Sequence, residues 1–153
     1  MSDDLKQQLV NKGLERLVAS KNTISLFKGM EDEDIKLIVK DVGFMRFNQH
    51  EVIIKELDES GDEIYFIVNG ECRVSVGRNN VGVLSPNQVF GEFAPLTKEK
   101  RAASIKANKP TVVMVFKLAM ELADEHPKVF MMLFRNIING LIKKIDQANQ
   151  KRY

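Results

Sequence analysis

The chain has 153 residues, 44% of them hydrophobic, and its 23 lysines and arginines nearly balance its 21 aspartates and glutamates, for a net charge of +2. That length builds one domain with a substantial core, and charge scattered in both signs supplies no long-range field to gather nucleic acid or a membrane surface. The lone Cys72 excludes an intrachain disulfide and fits a reducing cytoplasm as a small core residue. The acidic start Met1-Ser2-Asp3-Asp4 has no apolar run to make a leader, and no stretch reaches membrane-spanning length.

Leu5, Leu9, Val10, Leu14, Leu17 and Val18 fall at helical spacing and predict a packing helix over residues 5–18, with Gly13 as its weak point. A second helix is predicted over residues 30–42. Glu31, Asp32, Glu33 and Asp34 load its first turn with acid, and Ile35, Leu37, Ile38 and Val42 supply its buried face. The acid run lacks the alternating ligands and central glycine of a calcium loop, so it reads as helix-starting charge.

From about Val42 to Leu118 the period changes to two. Short strands are predicted over residues 52–54, 64–68, 72–76, 81–84 and 111–116, and turn clusters at 58–62, 69–70, 77–80 and 85–88 separate them. Regular short strands with such punctuation imply a small antiparallel sandwich or barrel. After Lys117 the helical period returns, over residues 118–123 and then along a long helix from Pro127 to about Ala148. Met131, Phe134, Ile138, Leu141, Ile145 and Ala148 alternate spacings of three and four, as in a parallel two-stranded coiled coil, while Phe130, Leu133 and Ile137 make a second apolar face. One face can pack on the barrel while the other meets a partner; both packing within one subunit is the alternative reading. Gly140 beside the seam permits a close approach or a hinge.

The chemistry concentrates in residues 89–107. Phe90-Gly91-Glu92 ends an apolar run, and Phe93-Ala94-Pro95-Leu96 can form one helical turn whose free amides carry partial positive charge and can seat an anion. Arg101 is expected to return on the next strand with a planar fork of donors suited to two phosphate oxygens. A carboxylate is a poor neighbour for phosphate, so Glu92 is expected to accept hydrogen bonds from something attached to it, such as a sugar hydroxyl. An isolated Glu92–Arg101 surface pair is the bland alternative. His50 and His126 have no spaced acidic or cysteine companions, and no nucleophile motif, P-loop or paired-carboxylate arrangement is present; the chain is not expected to be an enzyme or to hold a metal.

Phe-Gly-Glu, nine residues from Glu92 to Arg101, then Ala102-Ala103-Ser104, resembles the phosphate-binding cassette of cyclic nucleotide-binding domains. The stretch from Gly61 to Glu71 resembles the strand pair that precedes that cassette. The similarity runs from about Leu26 to Lys144, and extends to the sensor domain of bacterial cyclic-AMP-dependent regulators and the regulatory domains of cyclic-nucleotide-dependent kinases. It implies a jelly-roll β-barrel of about eight antiparallel strands over residues 42–118, N-terminal helices over 1–41 and C-terminal helices for dimerisation or switching over 119–153. It further implies a ligand, cyclic AMP or cyclic GMP. Arg101 would hold the cyclic phosphate, Glu92 the ribose 2′-hydroxyl, and the amides of Gly91, Glu92, Ala94 and Ala102 would complete the seat. Phe90, Phe93, Ala103 and Ser104 would lie beside it. Ala102 stands where cyclic-GMP-selective members often carry Thr, which leans toward cyclic AMP.

Three departures accompany the resemblance: Pro95 stands for a usual Leu, Asn87 for a usual turn glycine, and Lys144 and Ile145 lie where bacterial regulators place hydroxyl residues over the base. The expected protein is a cytoplasmic, stand-alone sensor module, with no helix-turn-helix, DNA partner or membrane anchor. Its output would be an unidentified effector protein or homodimerisation. The rival expectation is an interaction module that kept the barrel and lost the ligand.

Overall fold

The computed structural model describes residues 2–59, 61–93, 95 and 98–150, with every side chain in that range except those of Lys144 and Ala148. Eight strands, β1 (Val39–Phe47), β2 (Val52–Ile54), β3 (Ile64–Asn69), β4 (Cys72–Val76), β5 (Asn79–Leu84), β6 (Val89–Phe90), β7 (Ser104–Ala107) and β8 (Thr111–Leu118), form two four-stranded sheets. Their orders are β1-β8-β3-β6 and β2-β7-β4-β5, with every pairing antiparallel. This is the jelly-roll arrangement expected from the sequence. Helices α1 (Asp3–Ala19) and α2 (Asp32–Ile38) precede the sheets, and α3 (Pro127–Gln150) follows them.

The first sheet is covered on both faces, and strand alternation explains how. Along β3, Ile64 and Phe66 enter a cluster with helix residues Leu17, Phe27, Ile35, Phe130 and Leu133, while Tyr65 and Ile67 face the second sheet. Along β8, Met114, Phe116 and Leu118 join the helix-side cluster, and Val113 and Val115 join the inter-sheet one. Strands covered on both faces must be apolar at successive positions, which is why these two read as near-continuous hydrophobic runs.

α1 begins at Asp3, two residues earlier than the period implies, because the Ser2 hydroxyl accepts the Leu5 amide at 3.3 Å and caps it. Gly13 proves to be a packing point. It is buried, and a β-carbon there would lie 2.6 Å from Val42 Cγ1 on β1, so the missing side chain lets the helix cross the strand closely.

α2 is shorter than expected. It stops at Ile38, and residues 39–42 join β1, where Val39 pairs with Leu118 and the Ala119 amide donates to the Ile38 carbonyl at 2.6 Å. Sheet pairing has overridden an apolar pattern that continued the helical spacing for one more turn. The acid run does start the helix, with the Asp34 carboxylate accepting the Glu31 amide at 3.4 Å. Two further boundaries move. Asn79 and Asn80 belong to β5 rather than to the preceding turn, and within 118–123 Leu118 ends β8 while residues 120–122 form a 3-10 turn.

Between β3 and β4 the chain turns at Gly70 with φ +106°, and a β-carbon there would meet Thr111 Cα at 2.6 Å and the Pro110 carbonyl oxygen at 2.7 Å. Both the dihedral and the backbone contact forbid a side chain. Gly70→Ala is therefore expected to lower stability by about 1–3 kcal/mol, read as a lower urea midpoint with unchanged slope; an unchanged midpoint would show that the turn relaxes freely.

Candidate functional site

The chain changes sheets between β6 and β7, and the residues singled out in the sequence lie along that crossing. β6 ends at Phe90, whose ring stacks on Tyr65 with centroids 5.0 Å apart and an interplanar angle of 6°. The pair is set by register, because Tyr65 and Phe90 are directly opposed across β3 and β6. Gly91 follows with φ +82°, a conformation that favours glycine. Pro95, in the expected helical turn, is helical and buried; Ala94 and Leu96 lie outside the described residues.

Arg101 is not on a strand. It sits three residues before β7, held by a pair of backbone hydrogen bonds in which its amide donates to the Asp58 carbonyl and the Leu57 amide donates to its own, each at 2.9 Å. That pairing brings the guanidinium against Gly91, where a β-carbon would lie 3.1 Å from Nη1, 3.2 Å from the Glu63 carbonyl oxygen and 3.4 Å from Tyr65 Cδ2. Glycine suits this position by its dihedral, and a β-carbon would also crowd the guanidinium and the Glu63 carbonyl. Ion pairs among the described residues include Lys21–Asp32, Lys40–Glu121 and Lys98–Asp62.

A mostly apolar cavity of about 350 Å³ opens beside Arg101. Of the nine residues expected at a site, Gly91, Phe93, Arg101, Ala102 and Ala103 line it. Phe90 does not line it and stacks instead on Tyr65. The Ser104 hydroxyl instead accepts the Glu56 amide at 2.9 Å and fastens the start of β7. Glu92 lines a neighbouring cavity of about 220 Å³, together with Asn136 and Gly140 of α3, and Phe93 is the wall common to both.

The sequence reading missed Ile54 and Ile105, which supply the apolar floor from β2 and β7, and Leu141, which reaches the main cavity from α3. Alternation along β7 could have pointed to Ile105; nothing local marks Leu141. On α3 the expected contacts were Lys144 and Ile145. The Lys144 side chain lies outside those described and Ile145 is 58% exposed, while Leu141, about one turn earlier, lines the main cavity.

A third cavity, of about 230 Å³, lies beyond Arg101 and is lined by Asp58, Glu59, Glu63 and Tyr65. Burial pushes the Tyr65 phenol above its ordinary pKa and Glu63 adds to that, while the Arg101 charge pulls it back. Burial likewise raises the Cys72 thiol to about 11, in keeping with a packing residue between the sheets. Among the described residues no group of three or more His, Cys, Asp or Glu is arranged to hold a metal ion, and no helix is long and apolar enough to cross a membrane.

The sequence pattern of the cyclic nucleotide-binding domain matches residues 44–120, just over half of the chain. The chain belongs to that family. It is 26% identical over 151 residues to the human potassium/sodium hyperpolarization-activated cyclic nucleotide-gated channel 1, an alignment covering 99% of this chain and 16% of the channel. The chain thus spans about a sixth of the length of the curated relatives it matches. In fold it resembles a cyclic nucleotide-binding domain from Methylobacillus flagellatus (TM-score 0.72, 18% identity, covering 93% of this chain and 83% of that one). It also resembles the catabolite activator protein of Thermus thermophilus (TM-score 0.65, 20% identity, 83% and 61%) and a cAMP-bound PfPKA-R fragment (TM-score 0.64, 24% identity, 92% and 49%).

Proposed function

We propose that this chain is a cyclic nucleotide-binding sensor or regulatory module, cytoplasmic, with cyclic AMP favoured over cyclic GMP. The observation that carries the reading is a guanidinium held over a left-handed glycine at the edge of a mostly apolar cavity. A cyclic nucleotide divides in the same way, into a compact anion that Arg101 and the Gly91 amide can hold and a flat base that Ile54, Ile105 and Leu141 can cover. The cAMP-bound relative favours cyclic AMP, as does Ala102, which has no hydroxyl to offer a guanine amino group.

Glu92 reads the ribose 2′-hydroxyl in this scheme. Because it lines the adjacent cavity in this structure, it must turn toward Arg101 as ligand enters. Arg101→Ala is expected to weaken cyclic AMP binding by about 1.5–3 kcal/mol in calorimetric titrations that include cyclic GMP and the linear monophosphates. Unchanged affinity would remove Arg101 from the phosphate site.

Output runs through α3. Its early turns are fixed by Phe130, Leu133 and Ile137, all buried, and by Asn136, whose amide nitrogen donates to the Leu26 and Lys28 carbonyls at 2.9 Å each. Beyond Ile137, Ile138, Ile142 and Ile145 are exposed, while Leu141 lines the main cavity. A ligand bound more tightly with Leu141 closed over it draws this half of the helix down. Saturating cyclic nucleotide should therefore slow amide exchange over residues 137–148 as well as in the cassette; slowing confined to 91–104 would mean that binding does not engage the helix.

Met131, Ile138, Leu141 and Ile145 are exposed, with Phe134 half-buried among them, and this stripe supports a parallel homodimer along α3. The same stripe favours the second reading, a module that docks a protein partner without needing nucleotide. Sedimentation at high micromolar concentration should give a dimer that Ile138→Lys converts to monomer. A monomeric parent, with and without nucleotide, would rule the homodimer out.

A further inference from the structure

The geometry points to Tyr65 as a positioning residue for Arg101: its ring, stacked on Phe90, keeps the guanidinium over Gly91 and facing the apolar cavity. This rests on the cyclic nucleotide reading for the identity of the ligand, and on the fold alone for the geometry. Three groups converge on one point beside Gly91: Arg101 Nη1 at 3.1 Å, the Glu63 carbonyl oxygen at 3.2 Å and Tyr65 Cδ2 at 3.4 Å. The ring cannot slide away easily. Tyr65 lies in the middle of the first sheet's pairing, opposed to Phe90 on one side and Val115 on the other, and its stack with Phe90 is nearly parallel.

A flexible arginine needs such a wall because two directions compete for it. Arg101 lines both the main cavity, whose charged lining is Glu99 and Lys100, and the smaller one, where Asp58, Glu59 and Glu63 outnumber Lys55. A guanidinium left to itself turns toward the side richer in carboxylates, since their attraction at short range exceeds what an apolar lining offers. The Tyr65 ring lines the acidic cavity too, and it limits how far the guanidinium can fall back from Gly91 toward Glu63. The charges of Glu63 and Arg101 both act on the phenol, so each lies within electrostatic reach of it. The requirement is for a flat ring rather than for a hydroxyl.

The test compares Tyr65→Phe with Tyr65→Ile, a residue that suits a strand, each alone and combined with Arg101→Ala. For a residue acting through Arg101, Tyr65→Phe should leave cyclic AMP affinity within about threefold, and Tyr65→Ile should weaken it about tenfold or more. In the Arg101→Ala background Tyr65→Ile should cost less than about twofold further. Equal losses in both backgrounds, or a loss with Tyr65→Phe as large as with Tyr65→Ile, would overturn the proposal.

A second measurement needs neither variant nor ligand. In the ligand-free protein, NMR should find cross-relaxation between the Tyr65 ring protons and both the Gly91 α-protons and the Arg101 side chain. Absence of the Arg101 contact would overturn the proposal even if Tyr65→Ile failed to fold. If the parent protein bound no cyclic nucleotide, the functional reading would fail while this contact still decided the role of Tyr65.

Discussion

The first sheet is buried on both faces, and that constraint organises the molecule. Because β3 and β8 send alternate residues to the helices and to the second sheet, the helix-side core and the inter-sheet core lie on opposite faces of one sheet. The two sheets communicate through chain crossings. The crossing from β6 to β7 is longer than a turn requires, and it carries the left-handed glycine, the proline turn and the arginine. A binding loop on such a scaffold inherits rigidity at both ends, from the Tyr65–Phe90 stack on one side and from the Ser104 hydroxyl bond to Glu56 on the other.

Much of this was legible in the sequence, for reasons that differ by element. The middle strands announced themselves because double-sided burial demands apolar runs, and the turn residues between them have few other uses. Asn87 adopts φ +72°, as expected of the one residue type that substitutes well for a turn glycine. The end of α2 was not legible. Ile35, Ile38 and Val42 satisfy a helical period, and only Leu118, far along the chain, decides that Val39 pairs as a strand. The arginine was identified, but its support was not, since it comes from backbone bonds to Asp58 and Leu57, across a gap that no local pattern reveals. Leu141 and Tyr65 were missed for the same reason: each matters through a neighbour distant in sequence.

Buried polar groups show where the fold tolerates no ambiguity. Asn136 spends both amide hydrogens on the carbonyls of Leu26, within the 3-10 turn at residues 25–27, and of Lys28, just after it, in a region otherwise filled by Leu26, Phe27, Phe130 and Leu133. Leaving those carbonyls unsatisfied there would cost about 1–3 kcal/mol each, so the early turns of α3 and the N-terminal segment are locked in one register. Gly140 lies one turn later, and a β-carbon there would meet nothing within 4 Å. Space does not require glycine at that position, and in a helix interior it costs about 1 kcal/mol relative to alanine. The helix is therefore weakest where its anchored half gives way to its exposed one.

How strongly the cavity can act on that exposed half has a physical bound. Among the described side chains of α3, Leu141 lines the main cavity, and it is already more than half covered, with 41% exposure remaining. Full burial of a leucine is worth about 1.5–3 kcal/mol, so covering the remainder supplies only about 0.6–1.2 kcal/mol. That amount shifts a two-state helix by about threefold to eightfold, short of a switch between largely open and largely closed populations. A stronger response has to recruit contacts elsewhere. The adjacent cavity offers them, because Glu92 shares it with Asn136, Ile137 and Gly140, so a turn of Glu92 toward the ligand alters the packing of α3 at its weakest point. The exposed residues Ile138, Ile142 and Ile145 offer more, since covering them in the closed position by a second chain would multiply the apolar area at stake. On this accounting the ligand cavity alone cannot throw the helix. The size of any response depends on Glu92 and on what meets the outer face of α3.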